Sequence, residues 1–188
     1  MNIKSFAKVN LYLDIVGKRA DGYHELVTLM CPIALCDTLR LSFNTNQITV
    51  LCNHPDVPEG TENIAYKAAE RFLETAGRPR DGVKIEIKKN IPIGAGLGGG
   101  SSNAAAVLSG LNAHFGSPLS ASVLMDIGKT IGADVPFFIY GKPAVATGIG
   151  ETITPLPGVR PSFVLLVYPK HILSTRAVYK NFNLTLTK

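Results

Sequence analysis

Pro92-Ile-Gly-Ala-Gly-Leu-Gly-Gly-Gly-Ser-Ser-Asn-Ala104 is the most informative stretch of this chain. Before it, residues 83–89 alternate between apolar and charged side chains, which predicts a half-buried strand. After it, apolar residues recur at helical spacing over residues 101–115, which predicts a helix. The glycines permit positive φ and let a ligand approach the backbone N–H groups, while the helix N-terminus carries partial positive charge. The stretch therefore predicts an anion site, most often one for phosphate.

Two familiar phosphate motifs do not describe this loop. It lacks the Gly-Lys-Ser/Thr ending of a P-loop, and its glycine spacing fits the dinucleotide-binding fingerprint poorly. A flexible Gly/Ser linker is the alternative interpretation. We disfavour it because a linker rarely opens directly onto an Ala-rich amphipathic helix.

Composition bounds the class of protein. The chain has 188 residues, of which 46% are hydrophobic and 18% charged, as expected for a globular domain with room for the start of a second. No apolar run approaches the roughly 20 residues of a membrane helix and no targeting segment is visible, so we expect a cytoplasmic protein without a membrane partner. The net charge of +5 comes from scattered residues, which argues against a nucleic-acid partner and suits an anionic small-molecule substrate. The three cysteines have neither metal-ligand nor disulfide spacing, and Cys31 and Cys36, which lie among apolar residues, are expected to be reduced thiols in or near the core.

Strands and helices mix in an α+β order. Predicted helices cover residues 62–76, with Thr61 as N-cap and Gly77 after the end, then 101–115, and then 121–131 after Ser120. Predicted strands cover residues 5–16, 26–35, 38–44, 47–52, 83–89, 144–148 and 163–168. From residue 175 the sequence begins like a helix and does not resolve into a packed unit, which favours a domain boundary nearby.

Two polar side chains in the first strand are candidates for ligand contact. Lys8 and Asn10 point to one face of this strand, while Val9 and Leu11 point to the other. An ordinary solvent-facing edge explains the same pattern. The sequence alone modestly favours that simpler interpretation.

A second candidate lies at a turn. Asp21-Gly22 predicts a hairpin between the first two strands, which leaves Tyr23 and His24 at its tip. An aromatic ring and an imidazole there could stack on and hydrogen-bond a base or a sugar. Simple hairpin capping is about equally compatible with the sequence.

Asp134 follows the third predicted helix among small and apolar residues. A partly buried carboxylate is costly unless it is paired, so a functional role is one interpretation, and a turn Asp that bonds its own backbone is the other. Residues 174–180 form a helix start with a Ser/Thr cap and carry no signal by themselves.

In this order, these motifs resemble the GHMP kinase superfamily. Residues 92–104 look like its glycine-rich phosphate loop, and the Asp21–His24 turn narrows the resemblance to one branch. That branch uses ATP to phosphorylate the 2-hydroxyl of a cytidine diphosphate-linked methylerythritol in the non-mevalonate (MEP) isoprenoid pathway. The resemblance runs from the N-terminus to about Lys180. It implies a two-layer α+β domain of sheet and helices, similar to domain 2 of ribosomal protein S5.

The resemblance implies a role for each matched position. Asp134 would be the catalytic base, with Lys8 keeping its carboxylate ionised and stabilising developing negative charge. Asn10 would contact the substrate, Tyr23 and Tyr179 would sandwich the cytosine, and His24 would bind its polar edge. Asn63 would contact adenine, and Ser101 or Ser102 would lie near Mg²⁺. The ATP phosphates would be wrapped by Pro92, Ile93, Gly94, Ala95, Gly96, Leu97, Gly98, Gly99, Gly100, Ser101 and Ser102.

The resemblance also sets the expected domain organisation. Residues 1–160 would form the N-terminal, ATP-binding domain, and residues 161–188 would begin a truncated C-terminal domain that closes the cleft in the family. Two alternatives remain open at this point. One is a kinase of the same superfamily for another small alcohol, such as homoserine or mevalonate, and the other is a non-catalytic module that binds nucleotide or RNA.

Overall fold

The computed structural model describes residues 1–169. Residues 170–188, which include Tyr179 and the predicted helix start at 174–180, lie outside the described part. In chain order the elements are β1 (Asn2–Lys18), β2 (His24–Ser42), β3 (Ile48–Cys52), α1 (Ile64–Thr75), β4 (Val83–Lys88), α2 (Gly99–His114), α3 (Ala121–Ile131), α4 (Val135–Tyr140), β5 (Ala144–Gly148) and β6 (Thr152–Pro155). The α+β class predicted from the sequence is confirmed.

The sheet is organised around the long strand β2. β1 pairs antiparallel with it along one side, while β4 and β5 pair with opposite ends of its other side. β3 runs parallel to β4, and β6 runs antiparallel to β5. β1 is therefore an edge strand, and the hairpin predicted at Asp21-Gly22 is what joins it to β2.

The prediction of two separate strands at 26–35 and 38–44 is wrong, because β2 is continuous. Cys36 and Asp37 stay in register with Phe6 and Ser5 of β1. The Asp37 side chain is fully buried and accepts hydrogen bonds from distant backbone groups. An aspartate normally signals a turn when its partners are local, whereas here the partners come from another part of the chain.

The helices cover one face of the sheet and enclose the main core. Leu39, Leu41 and Ile85 project from the sheet against Leu108 and Leu111 of α2, and all of them are fully buried. α2 approaches the sheet closely at Gly110, where an added Cβ would lie 2.6 Å from Leu41 Cδ1. The glycine loop that precedes α2 is thus anchored to the most buried helix of the domain.

Helix boundaries follow the predictions closely, with two differences. The N-cap of α1 is Asn63, whose side chain accepts from the Ala65 amide, and the predicted cap Thr61 lies in a 3₁₀ turn. α2 begins at Gly99, two residues before the predicted start.

Three features of the second half differ from expectation. The short helix α4 and strand β6 were not predicted, because neither has a periodic apolar pattern long enough to identify it. The predicted strand at residues 163–168 does not pair with the sheet. Its apolar side chains are largely exposed, with Phe163 and Leu165 the most so, and a strand is stable only when a neighbour satisfies its backbone.

Candidate active site

The glycine loop connects β4 to α2 and forms one wall of a cleft. Gly94, Gly96 and Gly98 have φ of 70°, 72° and 71°, a region that residues with a Cβ adopt only at a cost. Gly98 is the N-cap of α2, so the loop passes directly into the N–H groups of the first helical turn. The cleft measures about 270 Å³ and is bounded on the other side by residues 56–58 and 62–64. The loop and helix thus have the geometry of an anion site next to a cavity.

Lys8 connects this loop to the rest of the site. Its backbone N–H donates to the Leu97 carbonyl at 3.0 Å, so the edge strand β1 holds the middle of the loop. Its ammonium group is buried, with 8% of the side chain exposed, and lies 3.6 Å from Asp134 Oδ2. The solvent-facing interpretation of Lys8 is therefore wrong.

Asp134 lies at the start of α4 but does not act as its cap. Its side chain makes no capping hydrogen bond, which removes the interpretation of a turn Asp that bonds its own backbone. One third of the side chain is exposed, and a Cβ added to Gly150 would lie 3.9 Å from its Oδ1. The separation from Lys8 is longer than a hydrogen bond, so the two groups form an ion pair in which Lys8 does not hydrogen-bond the Asp134 oxygens.

A relay of hydrogen bonds orients Lys8. The Lys8 ammonium donates to Asn10 Oδ1 at 2.6 Å, and Asn10 Nδ2 donates to Thr28 Oγ1 at 2.6 Å. The Thr28 hydroxyl donates its own proton to the Tyr12 carbonyl, so it can only accept from Asn10. Thr28 therefore fixes which end of the Asn10 amide faces Lys8, a role that sequence reasoning missed.

Replacing Thr28 by Val removes two neutral hydrogen bonds, one from Asn10 and one to the Tyr12 carbonyl, and frees the Asn10 amide to rotate. Turnover in the kinase reaction expected from the sequence should fall roughly tenfold, since a neutral hydrogen bond contributes about 1 kcal/mol. Steady-state kinetics and thermal unfolding, measured together, separate this effect from a general loss of stability. Thr49→Val, at an exposed position of β3, is the matched control. Equal rates for the two variants would show that Thr28 does not orient the site.

The two candidate serines differ in their surroundings. Ser102 is buried and accepts a hydrogen bond from Ser5 Oγ at 2.7 Å, so its hydroxyl belongs to the core. Ser101 is half-buried, and its Oγ lies 3.7 Å from where a Cβ on Gly132 would stand. Ser101 is thus the serine that packs against Gly132, two residues before Asp134.

Asn63 lines the cleft, but both ends of its amide already have partners. Oδ1 caps α1, and Nδ2 donates to the Pro58 carbonyl at 2.6 Å. The side chain is 3% exposed. Its observed contribution is to hold residue 58, which also lines the cleft, against the start of α1.

The hairpin tip presents Tyr23 and His24 at a distance from Lys8. Tyr23 is 59% exposed, and its amide donates to Asp21 Oδ1, which shapes the turn. His24 pairs with Lys18, ten residues along β1 from Lys8, or roughly 33 Å if the strand were straight. The pairing of β1 with β2 shifts in register at Asn10/Tyr12 and at Ile15/Gly17. Irregularities of this kind bend a strand, so the hairpin tip lies closer to Lys8 than it would along a straight strand.

Two groups near β1 have shifted acidities. The carboxylate of Asp14 raises the pKa of the Tyr12 hydroxyl, which donates to it at 3.3 Å. Burial raises the pKa of the Cys31 thiol, so both groups stay protonated at neutral pH. All three cysteines are free thiols, with Cys31 buried and Cys36 and Cys52 partly buried.

Within residues 1–169, no three His, Cys, Asp or Glu side chains come together as a metal-binding group. In the same part of the chain, no helix is long and apolar enough to cross a membrane.

Comparison with known proteins agrees with this geometry. Residues 63–142 match the family described as GHMP kinases N terminal domain. A 4-diphosphocytidyl-2-C-methyl-D-erythritol kinase of Geobacter metallireducens is 46% identical over 98% of this chain and 66% of its own length. The enzyme of the same name from Syntrophotalea carbinolica is 50% identical over 95% of this chain and 64% of its own length. The chain thus spans slightly less than two thirds of the curated relatives it matches.

Solved structures give the same result. The crystal structure of a 4-(cytidine 5'-diphospho)-2C-methyl-D-erythritol kinase superposes with a TM-score of 0.76 at 39% identity, covering 98% of this chain and 65% of that one. The mevalonate kinase of Methanococcus jannaschii superposes with a TM-score of 0.63 at 18% identity, covering 84% of this chain and 56% of that one, and this likeness shows a shared fold alone. The chain contains a GHMP kinase N-terminal domain and belongs to the GHMP kinase superfamily.

Proposed function

We propose that this protein phosphorylates the 2-hydroxyl of 4-diphosphocytidyl-2-C-methyl-D-erythritol with ATP, a step of the MEP route to isoprenoid precursors. The observation that carries the proposal is the double contact of Lys8. Its backbone holds the phosphate loop, and its ammonium lies 3.6 Å from Asp134. A donor site and an acceptor site are thereby brought together by one residue.

In the proposed reaction, the substrate hydroxyl attacks the γ-phosphorus of ATP. The bond between this phosphorus and the bridging β–γ oxygen breaks, ADP leaves, and the hydroxyl proton passes to Asp134. The Lys8 ammonium, 3.6 Å from Asp134, stabilises negative charge near the reacting oxygen. Since phosphoryl transfer depends mainly on positioning and charge neutralisation, the Thr28–Asn10 relay contributes by fixing the Lys8 ammonium.

The nucleotide is assigned to the cleft beside the glycine loop. Pro92 to Ser102 surround the phosphates through backbone N–H groups, and Asn63 shapes the adenine end of the cleft. Mg²⁺ bound to the phosphates would neutralise their charge, because this ion prefers oxygen ligands and commonly takes few from the protein. Ser101 is a better candidate than Ser102 for a contact with Mg²⁺, because the Ser102 hydroxyl is already hydrogen-bonded to Ser5.

The cytidine end of the substrate is assigned to the hairpin tip. The exposed Tyr23 ring offers a stacking surface and His24 a hydrogen-bonding group, and we assign Tyr179 to the opposite face of the base. Residues 1–160 would act as the ATP-binding domain, and residues 161–188 would begin the domain that closes the cleft in relatives.

The test is release of ADP by residues 1–188 with three candidate alcohols. Turnover with the cytidine diphosphate-linked methylerythritol, and competition by CDP, support the proposal. Turnover with homoserine or mevalonate and no competition by CDP would assign the protein to another alcohol. Binding of a non-hydrolysable ATP analogue without turnover of any alcohol would leave a nucleotide-binding protein without kinase activity.

A further inference from the structure

A buried polar cluster connects the glycine loop to the sheet, and two of its members, Lys89 and Asn103, also line the cleft. Its centre is Asp37, a fully buried residue in the middle of β2. Around it lie Lys89, whose side chain is 6% exposed, and Asn103 and Ser5, which are 3% and 2% exposed. Burying a charge is costly unless it is paired and hydrogen-bonded, so the partners of the Asp37 carboxylate are what allow it to be buried here.

The Asp37 carboxylate accepts hydrogen bonds from groups on both sides of the loop. On the entry side, Oδ1 accepts from the backbone N–H groups of Asn90 and Ile91 at 2.8 and 2.9 Å. On the exit side, Oδ2 accepts from Asn103 Nδ2 at 3.0 Å. The Lys89 ammonium donates to the same Oδ2 and approaches Asn103 Oδ1 at 3.4 Å.

These contacts join the two ends of the loop to one point of the sheet. Ile91 immediately precedes the loop at Pro92, and Asn103 lies in the second turn of α2. Asn103 Nδ2 also donates to Ser5 Oγ at 2.9 Å, which links the exit to β1. The Lys89 side chain also packs closely against the start of α2, because a Cβ added to Gly99 would lie 3.0 Å from Lys89 Nζ.

We propose that Asp37, acting with Lys89 and Asn103, is the positioning residue that fixes both ends of the phosphate loop and so sets the protein's affinity for ATP. The choice of ATP as the ligand rests on the proposed function, whereas the fixing of the loop by Asp37 does not. Asp37 does not itself face the cleft. Four donors hydrogen-bond its carboxylate. Asp37 therefore affects ATP binding only indirectly, by fixing the backbone of the loop.

Two variants test the arrangement. Asn103→Ala removes the exit connection and leaves the Asp37–Lys89 pair intact. Asp37→Asn keeps the shape but turns an amide NH₂ toward donors in either orientation. It faces the Lys89 ammonium and the Asn103 NH₂ in one orientation, and the backbone N–H groups of Asn90 and Ile91 in the other. The exchanged pair Asp37→Asn with Asn103→Asp restores one carboxylate beside Lys89 and is expected to recover much of the loss.

The matched control is Leu73→Ala. Leu73 is 3% exposed and lies at the far end of α1, so its truncation destabilises the core without touching the loop. Amide hydrogen exchange of residues 90–100 is measured without nucleotide on all variants. Affinity for the ATP analogue AMP-PNP with Mg²⁺, and KM for ATP against KM for the alcohol, are measured on the same samples.

In Asn103→Ala we expect hydrogen exchange of the loop amides to accelerate roughly tenfold. The Kd for AMP-PNP should also rise roughly tenfold, a loss of about 1.4 kcal/mol in binding free energy. The KM for the alcohol should stay unchanged. Leu73→Ala should change neither beyond its general loss of stability. Loop exchange equal to wild type in Asn103→Ala would overturn the proposal, even if Asp37→Asn fails to fold. Accelerated loop exchange in a protein that does not bind AMP-PNP would instead support the role of Asp37 and contradict the proposed function.

Discussion

Asp134→Asn is expected to reduce the turnover number by about 10²–10⁴-fold, the usual contribution of a positioned general base. The amide keeps the size of the carboxylate but cannot accept the hydroxyl proton. Because the Asp134 side chain lies in the open part of the site, with one third of it exposed, folding should be little affected. KM for ATP should also change little, since the glycine loop is held by Lys8 and not by Asp134.

Asp126→Asn is the matched control for this measurement. Asp126 makes an exposed ion pair with Lys129 within α3, and such pairs contribute little to stability. Stopped-flow or coupled measurement of ADP release compares the two variants with wild type. A rate for Asp134→Asn within twofold of the control would remove Asp134 from the role of base.

Gly98→Ala is expected to have the second largest effect, because it damages the loop and the acceptor site together. At a φ of 71° a side chain costs about 1–2 kcal/mol. The added Cβ would lie 2.7 Å from the Phe138 ring and 3.2 Å from Lys8 Cγ. Phe138 belongs to α4, the helix that Asp134 begins, so relief of the clash displaces both Lys8 and Asp134. Misplacement by about 1 Å can cost about 100-fold in rate.

Gly100→Ala is the control that distinguishes the effect of the clash at Gly98 from the effect of replacing any glycine of this segment by alanine. Gly100 lies in the first turn of α2, where an added Cβ meets only Ile64 Cγ2 at 3.6 Å, an ordinary contact. Alanine in a helix is favoured over glycine by about 0.5–1 kcal/mol, so this variant should be as stable as wild type or slightly more so. Titration with AMP-PNP and turnover assays on both variants make the comparison. Wild-type affinity and turnover in Gly98→Ala would show that the position of Gly98 is not critical.

Local signals explain what could be predicted from the sequence. The glycine loop, the hairpin at Asp21-Gly22 and the helix that follows Ser120 depend on residues that act on their own neighbours. Side-chain caps and positive-φ glycines leave such marks at fixed offsets. The shared face of Lys8 and Asn10 also followed from strand alternation, and the two side chains are hydrogen-bonded in the structure.

Non-local partners explain what could not be predicted. Asp37 has the appearance of a turn residue in the sequence, and only the amides of Asn90 and Ile91, more than fifty residues away, make it a buried strand residue. Thr28 orients Asn10 from the neighbouring strand for the same reason. Conversely, residues 163–168 have the pattern of a strand but no partner in the described sheet. Whether a segment forms a strand therefore depends on its pairing with neighbouring strands more than on its intrinsic strand propensity.

The backbone hydrogen bond from Lys8 to Leu97 has an evolutionary consequence. A main-chain donor does not depend on which side chain the residue carries, so a mutation that replaced the Lys8 ammonium would leave the loop attached to β1. Under the proposed function, binding of the nucleotide and its turnover would therefore depend on different atoms of one residue. A duplicated copy of such a gene could then lose the reaction by a single codon change and still bind the nucleotide.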